Sequence, residues 1–233
     1  MDIQLSGIVI ISGNYGSGKT EIAVNLAACR KLQGTDVRIA DLDLVNPYFR
    51  TREARKQLAE LGIEVVLPPE QYMQADLPIL SRSISGLIRH PAALTILDVG
   101  GNDAGAAVLA ALADAFGTKD YQMLQVVNPF RPLTQTIAGA VKMQRDIEKT
   151  SKLNVTGLIG NANLIDETTP ETILSGYDFI RKLSEETGLP LKFITVPAHL
   201  LTALESEHFS CPILPIKRQL VPPWKKLVRL KEF

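Results

Sequence analysis

The feature that most constrains the fold is a glycine-rich stretch at residues 12–20, which reads SGNYGSGKT. It directly follows the apolar run at 8–11 and precedes the helical pattern EIAVNLAACRKL. The spacing Gly13-x-x-x-x-Gly18-Lys19-Thr20 is typical of a loop whose backbone N–H groups turn inward around an anion at the positive end of a helix. We therefore expect a strand, this phosphate loop and a helix, in that order.

In a loop of this type, the lysine reaches the β- and γ-phosphates of a nucleotide, and the hydroxyl group after it ligates Mg²⁺. In this chain these residues are Lys19 and Thr20. The residues predicted to bind the nucleotide here are Gly13, Asn14, Tyr15, Gly16, Ser17, Gly18, Lys19, Thr20 and Glu21. The loop alone does not distinguish motors, switches and small-molecule kinases.

Short apolar runs alternate with helical stretches along the rest of the chain. Strands are predicted near 7–12, 37–40, 63–67, 94–97, 122–127, 155–159 and 192–196, and helices near 19–33, 51–61, 76–89, 103–116, 134–150, 170–187 and 199–206. Strands that are apolar throughout indicate a parallel sheet covered on both faces. We expect a three-layer α/β/α P-loop NTPase fold with a mostly parallel sheet of about seven strands. One domain is predicted at 1–216, followed by a basic tail at 217–233.

Composition excludes several classes of protein. The 25 Lys and Arg residues balance the 25 Asp and Glu residues, so bulk charge does not favour nucleic-acid binding. Cys29 and Cys211 are far apart in sequence and predict neither a disulfide framework nor a metal site. No segment approaches the roughly 18 apolar residues of a membrane span, and the N-terminus lacks a signal-peptide pattern. A cytoplasmic location is expected.

Polar residues follow the predicted strands at the edge where parallel sheets bind ligands. Asp98 ends the apolar stretch LTILD, as the aspartate of a Walker B strand does when it orients Mg²⁺. Gly100 or Gly101 would then offer a backbone N–H to the γ-phosphate. Asp41 and Asp43 follow the second strand, where a carboxylate can orient a water molecule for attack on that phosphate.

These motifs resemble the SIMIBI class of P-loop NTPases, and within it the CobQ/CobB/MinD/ParA group of nucleotide-binding domains. The resemblance covers nearly the whole chain: SGNYGSGKT, DLD after strand two, LDVGG after strand four, VVNPFRPLTQT after strand five and NAN after strand six. It implies that Asp43 positions the attacking water and that Asp41 lies nearer the metal. It also implies that Asn161 and the backbone around Pro197 read adenine. The expected metal ligands are thus Thr20, Asp41 and Asp98, and the expected catalytic residues are Lys19, Asp41 and Asp43.

One position departs from the MinD/ParA branch, whose members carry a second lysine just after the first glycine of the loop. Here that position is Asn14, which adds no positive charge. Arg50 or Arg52 could supply the charge from the same chain or from a partner. Guanine recognition usually rests on Asn/Thr-Lys-x-Asp, and NANLID at 161–166 has no lysine, so ATP is predicted over GTP.

The sequence predicts a Mg²⁺-dependent ATPase that acts as a nucleotide-dependent switch or maturation factor, with ATP/ADP and Mg²⁺ as cofactors and an unidentified protein partner. The alternative is an ATP-dependent small-molecule kinase or ligase of the CobB or dethiobiotin-synthetase kind, since those relatives can also lack the second lysine. A binder with negligible turnover is a third interpretation. A homodimer that forms with nucleotide is a further expectation. For the basic tail, packing on its own domain is favoured over binding a partner or a membrane.

Overall fold

The computed structural model describes residues 2–43, 50–67, 82–117, 119–204, 208–220 and 230, without the side chains of residues 82, 83 and 102–104. Eight strands of this described chain form one sheet, and all paired neighbours are parallel. The strands are β1 (Gly7–Gly13), β2 (Val37–Leu42), β3 (Glu64–Val66), β4 (Leu94–Val99), β5 (Tyr121–Val127), β6 (Gly157–Gly160), β7 (Leu191–Pro197) and β8 (Ile213–Ile216). Their order is β3-β2-β4-β1-β5-β6-β7-β8. The strand that leads into the phosphate loop is therefore central.

The α-helices of the described residues are α1 (Lys19–Leu32), α2 (Arg55–Glu60), α3 (Arg82–Arg89), α4 (Asn102–Phe116), α5 (Ile137–Ser151) and α6 (Pro170–Thr187). Short 3-10 helices span Thr51–Ala54, Ile165–Glu167 and Ala198–Ala203. Local sequence sets the ends of α6: the Thr169 side chain accepts the N–H of Thr172, Pro170 occupies the first turn, and Gly188 follows the last turn with φ 69°.

Both faces of the sheet are covered by apolar side chains. Along β1, Val9 and Ile11 pack in one cluster with residues of α1, whereas Ile8 and Ile10 pack in another with residues of α3 and α4. Successive side chains of a strand point to opposite faces, so a strand covered on both sides must be apolar throughout. The predicted three-layer arrangement is confirmed.

The sheet has one strand more than the seven predicted. β8 contains Pro215 and follows Pro212, and proline weakens a strand pattern because it donates no N–H. An edge strand tolerates proline, and β8 lies at the edge of the described sheet, next to β7. The helix predicted at 199–206 is instead the 3-10 helix Ala198–Ala203, and residues 76–81 of the helix predicted at 76–89 lie outside the described residues.

None of the helices within the described ranges is long and apolar enough to cross a membrane. Residues 221–229 and 231–233 of the predicted tail lie outside those ranges.

Candidate functional site

The phosphate loop joins the buried end of β1 to the start of α1. Gly13 has φ 142° and Gly18 has φ 94°, which residues with a side chain rarely adopt. A Cβ atom at Gly13 would also lie 2.6 Å from the carbonyl oxygen of Val126 on β5. Gly18 precedes α1, and no side chain caps the helix. The N–H groups of the first turn are therefore not used by a capping side chain, as an anion site at this point requires.

Lys19 is held inside the loop, with only 7% of its surface exposed. Its Nζ donates a hydrogen bond to the Asn14 carbonyl oxygen at 2.9 Å. Burial lowers the pKa of Lys19, while the nearby carboxylates of Asp98 and Asp43 act in the opposite direction. The structure thus places the predicted phosphate-binding ammonium group beside two of the predicted carboxylates.

The carboxylates of Asp98 and Asp41 come together because β4 lies between β1 and β2. Parallel pairing of β2 with β4 sets Asp41 directly opposite Asp98. Asp98 is fully buried. Burial and then the charge of Asp41 raise the pKa of Asp98 to about 7, while Lys19 and two nearby hydroxyl groups partly oppose this. The sheet therefore builds a concentrated negative site beside the phosphate loop.

The two oxygens of Asp98 have different surroundings. Oδ2 accepts a hydrogen bond from the Thr51 hydroxyl at 2.8 Å. Oδ1 is buried without a hydrogen-bond partner among the described residues, although the Thr20 hydroxyl is near enough to lower the pKa of this carboxyl group. A buried carboxylate oxygen without a partner is costly, and Mg²⁺ or a water molecule bound to Mg²⁺ would supply one. Thr20 and Asp98 therefore fit the predicted metal site.

Within the described part of the chain, no group of three or more His, Cys, Asp or Glu side chains is arranged to hold a metal. Mg²⁺ is commonly bound by one or two protein oxygens together with substrate phosphates and water. The site suits a metal that arrives with a phosphate ligand.

Asp41 is engaged by the segment that precedes α2. Its Oδ2 accepts hydrogen bonds from the Arg52 Nε at 2.8 Å and from the Arg52 backbone N–H at 3.1 Å. The guanidinium also donates to the Asp43 carbonyl oxygen at 3.1 Å. Arg52 is thus bound within its own chain. Arg50, the other arginine considered for charge supply, has a buried Nε without a hydrogen-bond partner in the described structure.

Asp43 and Gly101 lie where the sequence places them. A Cβ atom at Gly100 would be 3.0 Å from Asp43 Oδ1, and one at Gly101 would be 2.8 Å from the Tyr15 backbone nitrogen and 3.2 Å from Lys19 Nζ. This turn after β4 therefore lies against both the phosphate loop and Asp43. The catalytic role of Asp43 and the phosphate contact of Gly101 stay predictions.

A cavity of about 500 Å³ extends from the phosphate loop across the ends of β5, β6 and β7. Residues from five segments line it: Gly16, Gly18, Glu21 and Ile22; Asn128 and Arg131; Asn161, Asn163, Ile165 and Asp166; Pro197, Ala198 and His199; and Ile216, Lys217 and Arg218. Its volume is within the usual range for small-molecule sites. It includes Asn161 and Pro197, both predicted to contact a base.

Asn161 has a structural role that its position after β6 does not reveal. Its Nδ2 donates to the Ser17 carbonyl oxygen of the phosphate loop, and its Oδ1 accepts from the Thr195 hydroxyl of β7. The side chain therefore ties the phosphate loop to β7. The contact of Asn161 with adenine stays a prediction. The second N–H group of Nδ2 would be the donor for such a contact.

Glu21 lines the cavity, but its carboxylate is bound to the segment after β8. Oε1 accepts the backbone N–H of Gln219 at 2.6 Å, and Oε2 accepts that of Leu220 at 3.0 Å. Burial raises the pKa of Glu21, whereas these two hydrogen bonds act to lower it. The described start of the predicted tail is thus attached to α1, while the boundary at 216 stays a prediction.

Two residues at the site were not identified from the sequence. Thr51 binds Asp98 from the segment that precedes α2. Asp166 lines the cavity and accepts a hydrogen bond from Arg218 at 3.1 Å. The available signal was its position three residues after Asn163, in the loop that follows the parallel strand β6.

No protein-family model matches the sequence, and no curated protein matches it. Solved structures are similar to the fold. Cell division protein FtsY from Thermotoga maritima has a TM-score of 0.57 at 20% identity, over 84% of this chain and 65% of that one. Signal recognition particle receptor FtsY from Elizabethkingia anophelis in complex with GDP has a TM-score of 0.54 at 18% identity, over 84% of this chain and 58% of that one.

Signal recognition particle 54 kDa protein from Aeropyrum pernix K1 in complex with GDP has a TM-score of 0.53 at 18% identity, over 83% of this chain and 42% of that one. The chain therefore spans between 42% and 65% of the length of these three proteins. The likeness establishes an α/β P-loop NTPase fold. The comparisons show the fold alone, and the CobQ/CobB/MinD/ParA assignment is not confirmed.

Proposed function

We propose that this chain is a Mg²⁺-dependent nucleoside triphosphatase that acts as a nucleotide-dependent switch. The observation that carries the proposal is the juxtaposition of Lys19, in an uncapped phosphate loop, with the unpartnered Oδ1 of Asp98 on the adjacent strand. An anion site and a metal-ligand oxygen therefore lie beside each other, and Gly16 and Gly18 of the loop also line a cavity of about 500 Å³. Few chemistries other than Mg²⁺-nucleotide binding need both.

Thr20 and Asp98 would hold the metal, directly or through water. When bound, Mg²⁺ neutralises charge that develops on the phosphate oxygens during transfer. Lys19 would exchange its hydrogen bond with the Asn14 carbonyl for one with a phosphate. Asp43 would orient the attacking water, and Asp41 would approach the metal only if Arg52 moved away from it.

The switch rests on residues 50–54. In the structure, Thr51 binds the carboxylate of Asp98 and Arg52 binds that of Asp41. A metal at Asp98 Oδ1 would withdraw negative charge from the carboxyl group whose Oδ2 accepts the Thr51 hydroxyl, and would weaken that hydrogen bond. Nucleotide binding therefore changes the partners of this segment, and a protein that contacts it would sense the change.

We propose ATP as the nucleotide because the segment at 161–166 lacks the lysine of the usual guanine motif. GTP is the second candidate, favoured by two observations. The Asp166 carboxylate lines the cavity, where it could accept N–H groups of guanine, and two of the similar structures are GDP complexes.

Calorimetric titration with ATP, ADP, GTP and GDP, each with and without Mg²⁺, tests the proposal and selects the base. Lys19→Ala should weaken binding at least about 10-fold, because a charge-assisted contact is lost. Lys149→Ala, on the exposed side of α5, is the matched control and should bind as the wild type does. Absence of nucleotide binding by the wild type, or equal binding by Lys19→Ala, would refute the proposal.

Light scattering and phosphate release then separate the switch from the alternative enzyme. A protein that changes its oligomeric state only with a non-hydrolysable triphosphate analogue supports the switch. An unchanged oligomeric state, together with phosphate transfer to an added small molecule, supports a kinase or ligase. Turnover that is unchanged in both Arg50→Ala and Arg52→Ala would exclude a catalytic role for these arginines.

A further inference from the structure

Arg131 is a positively charged residue in the wall of the cavity, and none of the contacts described above accounts for its position there. It lies in the loop between β5 and α5 and lines the cavity beside the phosphate loop. Its Nε is buried and has no hydrogen-bond partner among the described residues. A Cβ atom at Gly16 would lie 3.9 Å from that nitrogen, so the guanidinium group rests against the phosphate loop.

The backbone around Arg131 is fixed on both sides. The Arg131 N–H donates to the Asn128 carbonyl oxygen at 3.1 Å, and the Thr134 hydroxyl donates to the same oxygen at 2.7 Å. The buried Asn14 side chain donates through Nδ2 to the Pro132 carbonyl oxygen at 2.7 Å. Asn14 therefore connects the phosphate loop to the residue directly after Arg131.

The charge balance at the site favours a second cation beside the phosphates. Lys19 lies near the carboxylates of Asp98 and Asp43, and a nucleoside triphosphate would add further negative charge. Arg52 is already bound to Asp41. A buried guanidinium donor without a partner costs free energy unless a ligand supplies an acceptor, and arginine suits phosphate oxygens because of its planar donor fork.

We infer that Arg131 binds a phosphate group of the nucleotide held by the loop, and that Asn14 is the residue that positions it. The inference rests on the proposed nucleotide binding. It gives Asn14 a role within the chain: its side chain adds no charge, but it holds the loop that brings the charge of Arg131 to the phosphates.

The test measures Kd for the preferred Mg²⁺-nucleotide and for Mg²⁺-pyrophosphate, which has no base or sugar. Arg131→Ala should weaken both about 10- to 100-fold, and Arg131→Lys should recover part of the loss because it keeps the charge but not the fork. Arg145→Ala, an exposed arginine on α5, is the matched control and should change neither value. Circular dichroism and thermal melts check that each variant is folded.

Asn14 is tested by a double-mutant cycle. If Asn14 acts through Arg131, Asn14→Ala weakens binding in the wild-type background and has little further effect in Arg131→Ala. Independent, additive losses would mean that Asn14 contacts the nucleotide directly and would overturn the positioning role. Pyrophosphate binding that is unchanged in Arg131→Ala would overturn the phosphate contact. Absence of nucleotide and pyrophosphate binding by the wild type would instead refute the proposed function itself.

Discussion

Replacing Asn25 by alanine should destabilise the fold through the segment that leaves β8. Asn25 is fully buried on α1 and pairs with both backbone groups of Lys217: Nδ2 donates to the carbonyl oxygen at 3.1 Å, and Oδ1 accepts the N–H at 2.9 Å. One turn earlier, Glu21 accepts the N–H groups of Gln219 and Leu220. These two side chains therefore take the place of a ladder of backbone hydrogen bonds for residues 217–220.

The magnitude follows from the groups left without partners. Asn25→Ala removes the acceptor of the Lys217 N–H and one donor to the Glu21 carboxylate, whereas the Lys217 carbonyl oxygen keeps a second donor, Gln219 Nε2, at 3.0 Å. An unsatisfied buried N–H costs about 1–3 kcal/mol and each other lost hydrogen bond about 1 kcal/mol, and Lys217 is only partly buried, so about 2–4 kcal/mol is expected in total. For a domain of this size, that loss corresponds to a decrease in Tm of roughly 5–15 °C.

Urea unfolding measures this difference, with Asn154→Ala as the matched control. Asn154 is exposed, and the same substitution there should change the free energy of unfolding by less than about 0.5 kcal/mol. Amide hydrogen exchange at Gln219 and Leu220 should accelerate only in Asn25→Ala. If the two variants have equal stability and equal exchange, the attachment of residues 217–220 to α1 does not contribute as argued.

Two further predictions concern ionisable groups. Burial raises the pKa of Asp98 to about 7, so ionisation of this carboxyl group progressively destabilises the folded state as the pH rises from about 4 to about 7. Asp98→Asn should therefore increase the free energy of unfolding by up to about 4 kcal/mol at pH 8, and this gain should disappear near pH 4. Urea unfolding of both proteins across this pH range measures the gain. A gain that does not change with pH would contradict the assigned pKa. Burial also raises the pKa of the Cys211 thiol to about 11. Iodoacetamide at pH 8 should then modify Cys211 about 100-fold more slowly in the folded protein than in urea, as mass spectrometry would show, and equal rates would refute this.

The parts of the fold that depend on local sequence could be predicted. β1, the phosphate loop and α1 follow one another without interruption between residues 7 and 32. Apolar runs and glycine spacing therefore define them without tertiary information. Apolar runs that end at a polar residue likewise locate the ends of β2, β4 and β6. Pairing of β2 with β4 in the sheet then brings Asp41 and Asp98 together. β8 was missed because Pro212 and Pro215 weaken its pattern, and only its place at the sheet edge makes the prolines acceptable.

The contacts between distant residues could not be predicted in the same way. Thr51 meets Asp98 across 47 positions, and Asn14 meets Pro132 across 118. Neither pair has a periodicity or spacing that marks it, because each depends on how two loops meet at the edge of a finished sheet. Glu21 illustrates the limit: its place in the first turn of α1 suggested a ligand contact, whereas its carboxylate binds the backbone at Gln219 and Leu220.

Asp41 and Asp98 repel each other, and Arg52 and Thr51 each bind one of them, which is why ligand binding and conformation should be coupled under the proposed function. Asp41 is fully buried, and removing one partner of a buried ion pair costs about 3–5 kcal/mol. Arg52 is therefore expected to leave Asp41 only when another positive charge takes its place beside that carboxylate. Under that function, a divalent cation at Asp98 Oδ1 would reduce the repulsion between the two carboxylates and weaken the hydrogen bond from Thr51 to Oδ2. Because Thr51 and Arg52 are consecutive, a change at either contact would be felt at the other, and residues 50–54 would respond together to a metal and a phosphate bound at the loop.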